Sequence, residues 1–419
     1  MTTLLKSNGS YTSNLNETIQ AMLDHLITRD DQADDSDYHK RIRTKIREPS
    51  QTADDREFTP AEIKNAIEEL KNKKSPGEDG ITGEIYKRVY QLFPSFTYTI
   101  YSVCLQAGCF PKRWKKAKII PVVKPGKGKV QDASKYRLIS LINVGGKGLE
   151  KLLINRIMHH LYSNNLMNPN QYGFTPQKST TDATLAVKEY IEEGFRRGHI
   201  TLLISLNVQG AFDMAWWPSI LHTLKILNCL KNVYNLTRSY FSDRTATLYT
   251  YSIQIERDIT MGCPQGSCCS PGFWNIKYNS LLNLHYGKHT KAIAFADDLL
   301  IAVRAENVKE AENFANIEIN KITNWAKENK INFNEQKSKV MLATRRKRRE
   351  ITEVNIYLNF KPPQHFKSIK YLGITVDNKL SFREHIISTT SKCTTLIHTL
   401  EKSAKLNWEH KQKALNTIY

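Results

Sequence analysis

The sequence predicts an α+β fold, and three observations carry that prediction. Several long segments place apolar residues at helical spacing. Between them lie short apolar, β-branched runs bounded by turn residues. The two kinds mix without the strict strand–helix–strand alternation of a doubly wound sheet.

In chain order, residues 1–57 are polar and charge-dense, with RDDQADDSD at 29–37, and read as a helical or loosely ordered lead-in. Regular structure begins at FTPAEIKNAIEEL. There Thr59 can cap a helix, Pro60 suits its first position, and Glu62 lies three residues after the cap. Ile63, Ala66, Ile67 and Leu70 then share one face. KNKKSPGEDGIT is a basic, turn-rich loop. From Lys118 the pattern is strand, turn, strand, through AKIIPVV, KPGKGKVQDASK and YRLISLINV. Helices are predicted over 145–165 and 179–197, then a strand at HITLLISLNV and a helical stretch over 216–240. A Gly/Pro/Cys-rich loop at 261–272 leads into another helix. AIAF and LLIAV flank two acidic residues and read as a hairpin with no glycine at its tip. A helix over 306–329, a strand near 338–343, the basic run RRKRR at 345–349, a strand-like IKYLGITVD and a helical end over 381–419 complete the chain.

A chain of 419 residues can bury two or three lobes' worth of core, and its 40% apolar and 24% charged residues are those of a globular protein. Lys and Arg outnumber Asp and Glu by 61 to 41, a formal charge of +20. That excess favours a polyanionic partner, most simply nucleic acid, through phosphate contacts and counterion release. Seven cysteines form no C-x-x-C pair, which argues for reduced thiols in an intracellular protein. The N-terminus lacks the basic start and apolar run of a secretory signal, and no apolar segment is long enough to span a membrane. The expectation is a nuclear or cytoplasmic protein that is not secreted.

Asp297 and Asp298 stand side by side inside an apolar run. Adjacent anions repel and resist desolvation, so the arrangement needs cations or water. Magnesium takes oxygen ligands and is commonly held by a few carboxylates plus substrate phosphates. Together with the basic charge, this suggests phosphoryl-type chemistry on a nucleic acid by a two-metal site. Taken alone, an Asp-Asp pair is equally at home in a solvated turn.

The neighbouring stretches decide between these. KSPGEDGIT, IIPVVKPGK, YRLISLINVGGKGLEKLL, NQYGFTPQKSTTDA, NVQGAFDMAWW, MGCPQGSCCSPGFWN, FADD, WAKENKINFNEQKSK and KYLGITVDNKLSFREHI each resemble one block, in order, of the reverse transcriptase of non-LTR (LINE-type) retrotransposons. They cover roughly residues 70 to 390. The WWP after NVQGAFDMA resembles arthropod elements that insert at specific sites. The resemblance implies a right-hand polymerase with a ferredoxin-like palm, copying an RNA template into DNA from a DNA primer with deoxynucleoside triphosphates. It implies fingers and palm over 58–390, the fingers mainly 70–197 and the palm mainly 198–380, with 381–419 as the start of a truncated thumb. The implied cofactor is two Mg2+ ions, or Mn2+, on Asp297 and Asp298.

Residue by residue, Phe212 matches the bulky group beneath the incoming sugar, where a ring can exclude a 2′-hydroxyl; ordinary core packing is the alternative. Gln265 and Gly266 match a P-Q-G core, the glycine permitting close backbone approach and the amide able to bond template or nucleotide. Lys124 and Arg137 match finger residues that hold the triphosphate, and flank a strand–turn–strand flap. Leu138 follows Arg137 where the family often has proline. Lys337 matches a lysine near the pyrophosphate leaving group, able to act as general acid. Asp213, at the expected start of a helix, reads as its cap. RRKRR could bind phosphates or serve as a nuclear address.

One departure bears on activity. The family's first palm block supplies a metal-binding aspartate where this chain has Asn207. An amide still offers a carbonyl oxygen but removes a full charge, a difference of about 4 kcal/mol for unit charges ~4 Å apart at an effective dielectric of ~20. Each ~1.4 kcal/mol is tenfold in rate, so an impairment of about three orders of magnitude is expected. The sequence-level alternatives are therefore an impaired RNA-directed DNA polymerase and a catalytically silent nucleic-acid-binding remnant. An RNA-directed RNA polymerase shares the palm logic, but Phe212 and the finger blocks argue against it. The family's endonuclease and C-terminal Cys/His segment are not expected within these residues.

Overall fold

The computed structural model describes residues 3–6, 9–124, 131–250, 253–346, 354–359 and 361–406. It is a mixed α+β fold, as expected. The polar N-terminal segment carries α1 (Leu15–Leu26) and α2 (Asp37–Arg47). Then come α3 (Pro60–Glu68), α4 (Gly83–Leu92), α5 (Pro94–Gln106) and the short α6 (Lys112–Lys115). The expected capping box is formed: Thr59 bonds the Glu62 amide, and the Glu62 carboxylate reaches back to Thr59.

Strands β1 (Lys116–Val123) and β2 (Tyr136–Ile142) form the antiparallel flap, whose tip at 125–130 lies outside the described residues. Two helices follow, α7 (Val144–Ser163) and α8 (Thr180–Arg196), then strand β3 (Ile200–Leu206). The helical stretch over 216–240 is two helices, α9 (Trp217–Ile226) and α10 (Lys231–Phe241), broken near Asn228 with φ +53°. A hairpin without a sequence counterpart comes next, β4 (Arg244–Tyr249) and β5 (Gln254–Ile259). It completes a finger sheet in the order β2-β1-β4-β5. Its pattern was hidden because its charged residues, Glu256, Arg257 and Asp258, mask the alternation.

The palm continues with α11 (Ser270–Leu282), β6 (Thr290–Phe295), β7 (Asp298–Ala305), α12 (Val308–Glu328) and β8 (Lys339–Ala343), edged by the two-residue β9 (Gln364–His365). IKYLGITVD is a hairpin rather than one strand: β10 (Ser368–Tyr371) turns through Leu372 and Gly373, at φ +47° and +88°, into β11 (Ile374–Asp377). Helix α13 (Arg383–Leu406) ends the described chain. Of RRKRR only Arg345 and Arg346 are described, and 407–419 lie outside.

The palm sheet has the order β6-β7-β3-β8-β9, with β3 antiparallel to both β7 and β8 and β6 antiparallel to β7. Counting β3, β6, β7 and β8 as strands one to four gives the split βαβ arrangement of a ferredoxin-like sheet. Its two faces divide by period two. Leu202, Ile204 and Leu206 of β3 join the larger core with α12, while Leu203 joins the core beneath α8 and the β10–β11 hairpin. Coverage on both faces explains why these strands read as continuous apolar runs rather than alternating ones. The N-terminal segment spans both lobes: Ile19 and Leu23 of α1 pack on Ile119, Ala246 and Leu248 of the finger sheet, while α2 lies against α9.

Candidate active site

The palm sheet brings the acidic hairpin and position 207 to one edge. β6 and β7 pair through Phe295 and Asp298, leaving Ala296 and Asp297 as a two-residue turn. Such turns require a left-handed residue, normally glycine; here Ala296 takes it, at φ +56°. β3 and β7 pair down to Leu206 with Leu299, so the next step of that register sets Asn207 against Asp298. A loop brackets Asn207 from the other side. The Asn334 N–H donates to the Asn207 carbonyl at 2.7 Å, and the Asn207 N–H to Ser338 Oγ at 3.3 Å.

In front of this edge opens a cleft of about 510 Å³. Its lining brings together Lys124, Arg137, Phe212, Gln265, Gly266 and Asp297. Lys124 and Arg137 sit on the flap, Arg137 opposite Val122 in the β1–β2 ladder, and Lys124 Nζ rests on the Ser134 carbonyl at 2.7 Å. The Pro264–Ser267 turn docks on β2 through Ser140 N–H to the Gln265 carbonyl, 2.8 Å. Gly266 has φ +125°, and a Cβ there would lie 2.4 Å from the Ser140 carbonyl oxygen, so only glycine fits. Phe212 is half-buried between Phe174 and Trp274, ring centroids 6.1 and 5.4 Å away, and lines the cleft. Lys337 is exposed on the Asn334–Ser338 loop beside Asn207 and does not line the cleft.

Burial raises the pKa of Asp297, and burial followed by repulsion from Asp297 raises that of Asp298. Among the described residues neither makes an ion pair. Two adjacent carboxylates without a cation of the chain fit a hard divalent ion with oxygen ligands, to which the amide oxygen of Asn207 would add. Among the described residues no group of three or more His, Cys, Asp or Glu side chains forms a metal site.

Three residues escaped the sequence reading. Asp213 is not a helix cap: α9 starts at Trp217 with Trp216 as its N-cap. Asp213 instead faces the cleft, accepting weakly from Gln265 Nε2 at 3.5 Å, and burial raises its pKa against the pull of Gln265 and Lys124. Gln171, inside the NQYGF block, hydrogen-bonds Ala296 in the acidic turn. Lys277 is fully buried behind the NVQGAFDMAWW segment, donating to the Met214 and Asn329 carbonyls, and burial holds its pKa down to about 7. No spacing signals a buried lysine whose partners are carbonyls; the NQYGF block was the available signal for Gln171.

A ferredoxin-like palm with paired carboxylates at a hairpin tip, and a basic flap across a cleft from them, is the architecture of template-directed nucleic-acid polymerases. The reverse transcriptase (RNA-dependent DNA polymerase) family model matches residues 122–376, more than half of the chain, and the chain belongs to that family. Enzymes of this family are nucleotidyltransferases that use divalent metal ions. The chain is 31% identical over 359 residues to a 115 kDa protein in a type-1 retrotransposable element of Drosophila melanogaster, 85% of this chain and 34% of the relative. It is 28% identical over 418 residues to a retrovirus-related Pol polyprotein from a type-1 retrotransposable element of Bradysia coprophila, 99% of this chain and 40% of that one. It is also 28% identical over 359 residues to the RNA-directed DNA polymerase from the mobile element jockey of Drosophila melanogaster, 84% and 38%. The chain thus spans little more than a third of the length of these relatives. Among the described residues no helix is long and apolar enough to cross a membrane.

Proposed function

We propose that this chain is the polymerase part of a non-LTR retrotransposon protein, extending a DNA 3′ end on an RNA template, with its rate lowered by Asn207. The observation that carries the reading is the register that sets position 207 against Asp298, at the edge of the cleft that Lys124, Arg137, Phe212 and Gln265 share. Two Mg2+ ions, or Mn2+, on Asp297, Asp298 and position 207 would activate the primer hydroxyl and stabilise the leaving oxygen. Lys124 and Arg137 hold the triphosphate with charged donors. Phe212 excludes the 2′-hydroxyl of a ribonucleotide, Gln265 and Gly266 bound the nucleotide, and Lys337 donates a proton toward pyrophosphate. The +20 charge supplies affinity for template and primer. The reading places the chain in the nucleus or cytoplasm, where those nucleic acids are.

Asn207 favours a second reading, a catalytically silent remnant that keeps the basic cleft. Primer extension on an RNA template with Mg2+ and deoxynucleotides separates the two, comparing this chain with Asn207→Asp. The proposed function expects the aspartate to raise the rate by about three orders of magnitude, from the restored charge at the metal site. Equal rates in the two chains would refute the charge argument. No extension by either, with primer–template still bound, would favour the remnant.

A further inference from the structure

The segment joining α7 to α8 is not used by the chemistry above, yet it reaches the catalytic turn. Residues 170–172 run beside β6. The Ala294 N–H donates to the Asn170 carbonyl at 3.0 Å, and the Tyr172 N–H to the Ala294 carbonyl at 2.8 Å. At the end of this short pairing Gln171 is 2% exposed. Its Oε1 accepts from the Gly173 N–H at 3.0 Å and from the Ala296 N–H at 3.2 Å, and its Nε2 donates to the Ala296 carbonyl at 3.4 Å. One buried amide thus engages both backbone groups of the residue that precedes Asp297.

The turn needs holding. Ala296 occupies the left-handed region at φ +56°, where a Cβ is disfavoured. The two carboxylates that follow are adjacent anions that repel each other, which also favours opening. Trp274 Nε1 adds a bond to the Ala296 carbonyl at 3.1 Å, and the Tyr278 hydroxyl one to the Asp297 carbonyl at 3.2 Å. Gly173 makes the approach sterically feasible, because a Cβ there would lie 2.1 Å from the Ala296 nitrogen. Asn275 Nδ2 fastens the Gly173 carbonyl at 2.9 Å.

We infer that Gln171 is a positioning residue for the polymerase site: its buried amide fixes Ala296, so that Asp297 and Asp298 are already set against position 207 when a divalent cation binds. The inference rests on the proposed function for its catalytic consequence, but not for its structural one. A preformed turn spares cation binding the work of ordering two repelling side chains.

The test uses the Asn207→Asp chain as parent and reads both hydrogen exchange at the turn and the Mg2+ dependence of primer extension. Gln171→Met keeps the volume and removes all three bonds. It is expected to speed exchange at the Ala296 amide by about tenfold or more, while the β3–β7 ladder amides stay as slow as in the parent. It is also expected to raise the half-saturating Mg2+ concentration and lower kcat, each by about tenfold, with KM for the deoxynucleotide within about twofold. Gln171→Asn, one methylene shorter, keeps polarity but withdraws the amide, and carries the same expectation if the methionine variant does not fold. Unchanged exchange at the turn in a folded variant overturns the inference, as does an unchanged Mg2+ requirement in an active one. A parent that extends no primer, while Gln171 still governs exchange at the turn, overturns the polymerase reading and leaves the clamp standing.

Discussion

Two aspartate clusters in this molecule have opposite fates. At the N-terminal segment, Asp30 and Asp35 are buried and paired with cations of the chain itself, Arg43 and Lys330. Both cations lie over the Trp216 ring, 5.5 and 5.4 Å from its centroid, and Trp216 Nε1 donates to Asp30 at 3.1 Å. Burial alone would raise the Asp35 pKa, but the bonds and charges of Arg43 and Lys330 outweigh it and hold it near 2. At the palm edge, Asp297 and Asp298 have no such pairing among the described residues, and their pKa values rise. Carboxylates that the chain neutralises act as fasteners. Those it leaves uncompensated make a site that a cation from solution completes.

The largest effect that sharpens this contrast should come from Asp298→Asn in the Asn207→Asp chain. Removing one of that site's carboxylates should cost at least about three orders of magnitude in primer extension. Thermal stability should hold or rise, since the substitution relieves repulsion between uncompensated anions. A clear drop in melting temperature would instead mark Asp298 as a structural anion and dissolve the distinction.

The second effect is on stability. Asp35→Asn leaves two partly buried cations with one carboxylate fewer, and since breaking a fully buried pair costs about 3–5 kcal/mol, a loss of about 2–3 kcal/mol is expected. Chemical denaturation of this chain and the variant measures it. A change below about 1 kcal/mol would place the Asp35 pair among weak surface ion pairs. The double variant Asp30→Asn/Asp35→Asn should cost less than the sum of the singles, because both carboxylates share the same two cations.

Why one cluster was legible and the other was not follows from what each depends on. The hairpin is local: AIAF and LLIAV flank its tip, and the pairing Phe295–Asp298 needs nothing else. The same holds for the capping box of Thr59 and Glu62. The Asp30–Asp35 cluster is neutralised by Arg43 together with Lys330, the latter some 300 residues away, so RDDQADDSD looks in sequence like a solvated charge run. Asp213 misled for a related reason. An aspartate before a helical stretch resembles a cap, yet Met214, Ala215 and Trp216 lie between Asp213 and the start of α9. The β4–β5 hairpin went unread because a third of its strand side chains are charged, three of them consecutive in β5 and the fourth Arg244, which the fold buries against Tyr240. Candidate site residues that match a block motif were named from the sequence, while Gln171, although inside a block, and Lys277 were missed because their roles lie in long-range contacts.

Acid titration gives the smallest effect and separates the two clusters by sign. The folded pKa of Asp35 is about 2 against an ordinary 3.8, so the folded state binds fewer protons than the unfolded one between those values. Its contribution is therefore present above about pH 4 and is lost as the pH falls toward 2. Glu62 acts in the same direction. Its burial is outweighed by Arg156 and the Thr59 cap, bringing it to about 2 from 4.5. Asp297 and Asp298 act oppositely: their raised pKa values favour the folded state at low pH, and that advantage fades as the pH rises through them. Melting curves from pH 2.5 to 7 without divalent metal should then show Asp35→Asn flattening the acid limb. Asp298→Asn should leave that limb in place and lift the neutral plateau, because it removes the repulsion between adjacent anions. Added Mg2+ should lift the plateau of the parent and not that of Asp298→Asn, because only the parent keeps both anions for the cation to neutralise.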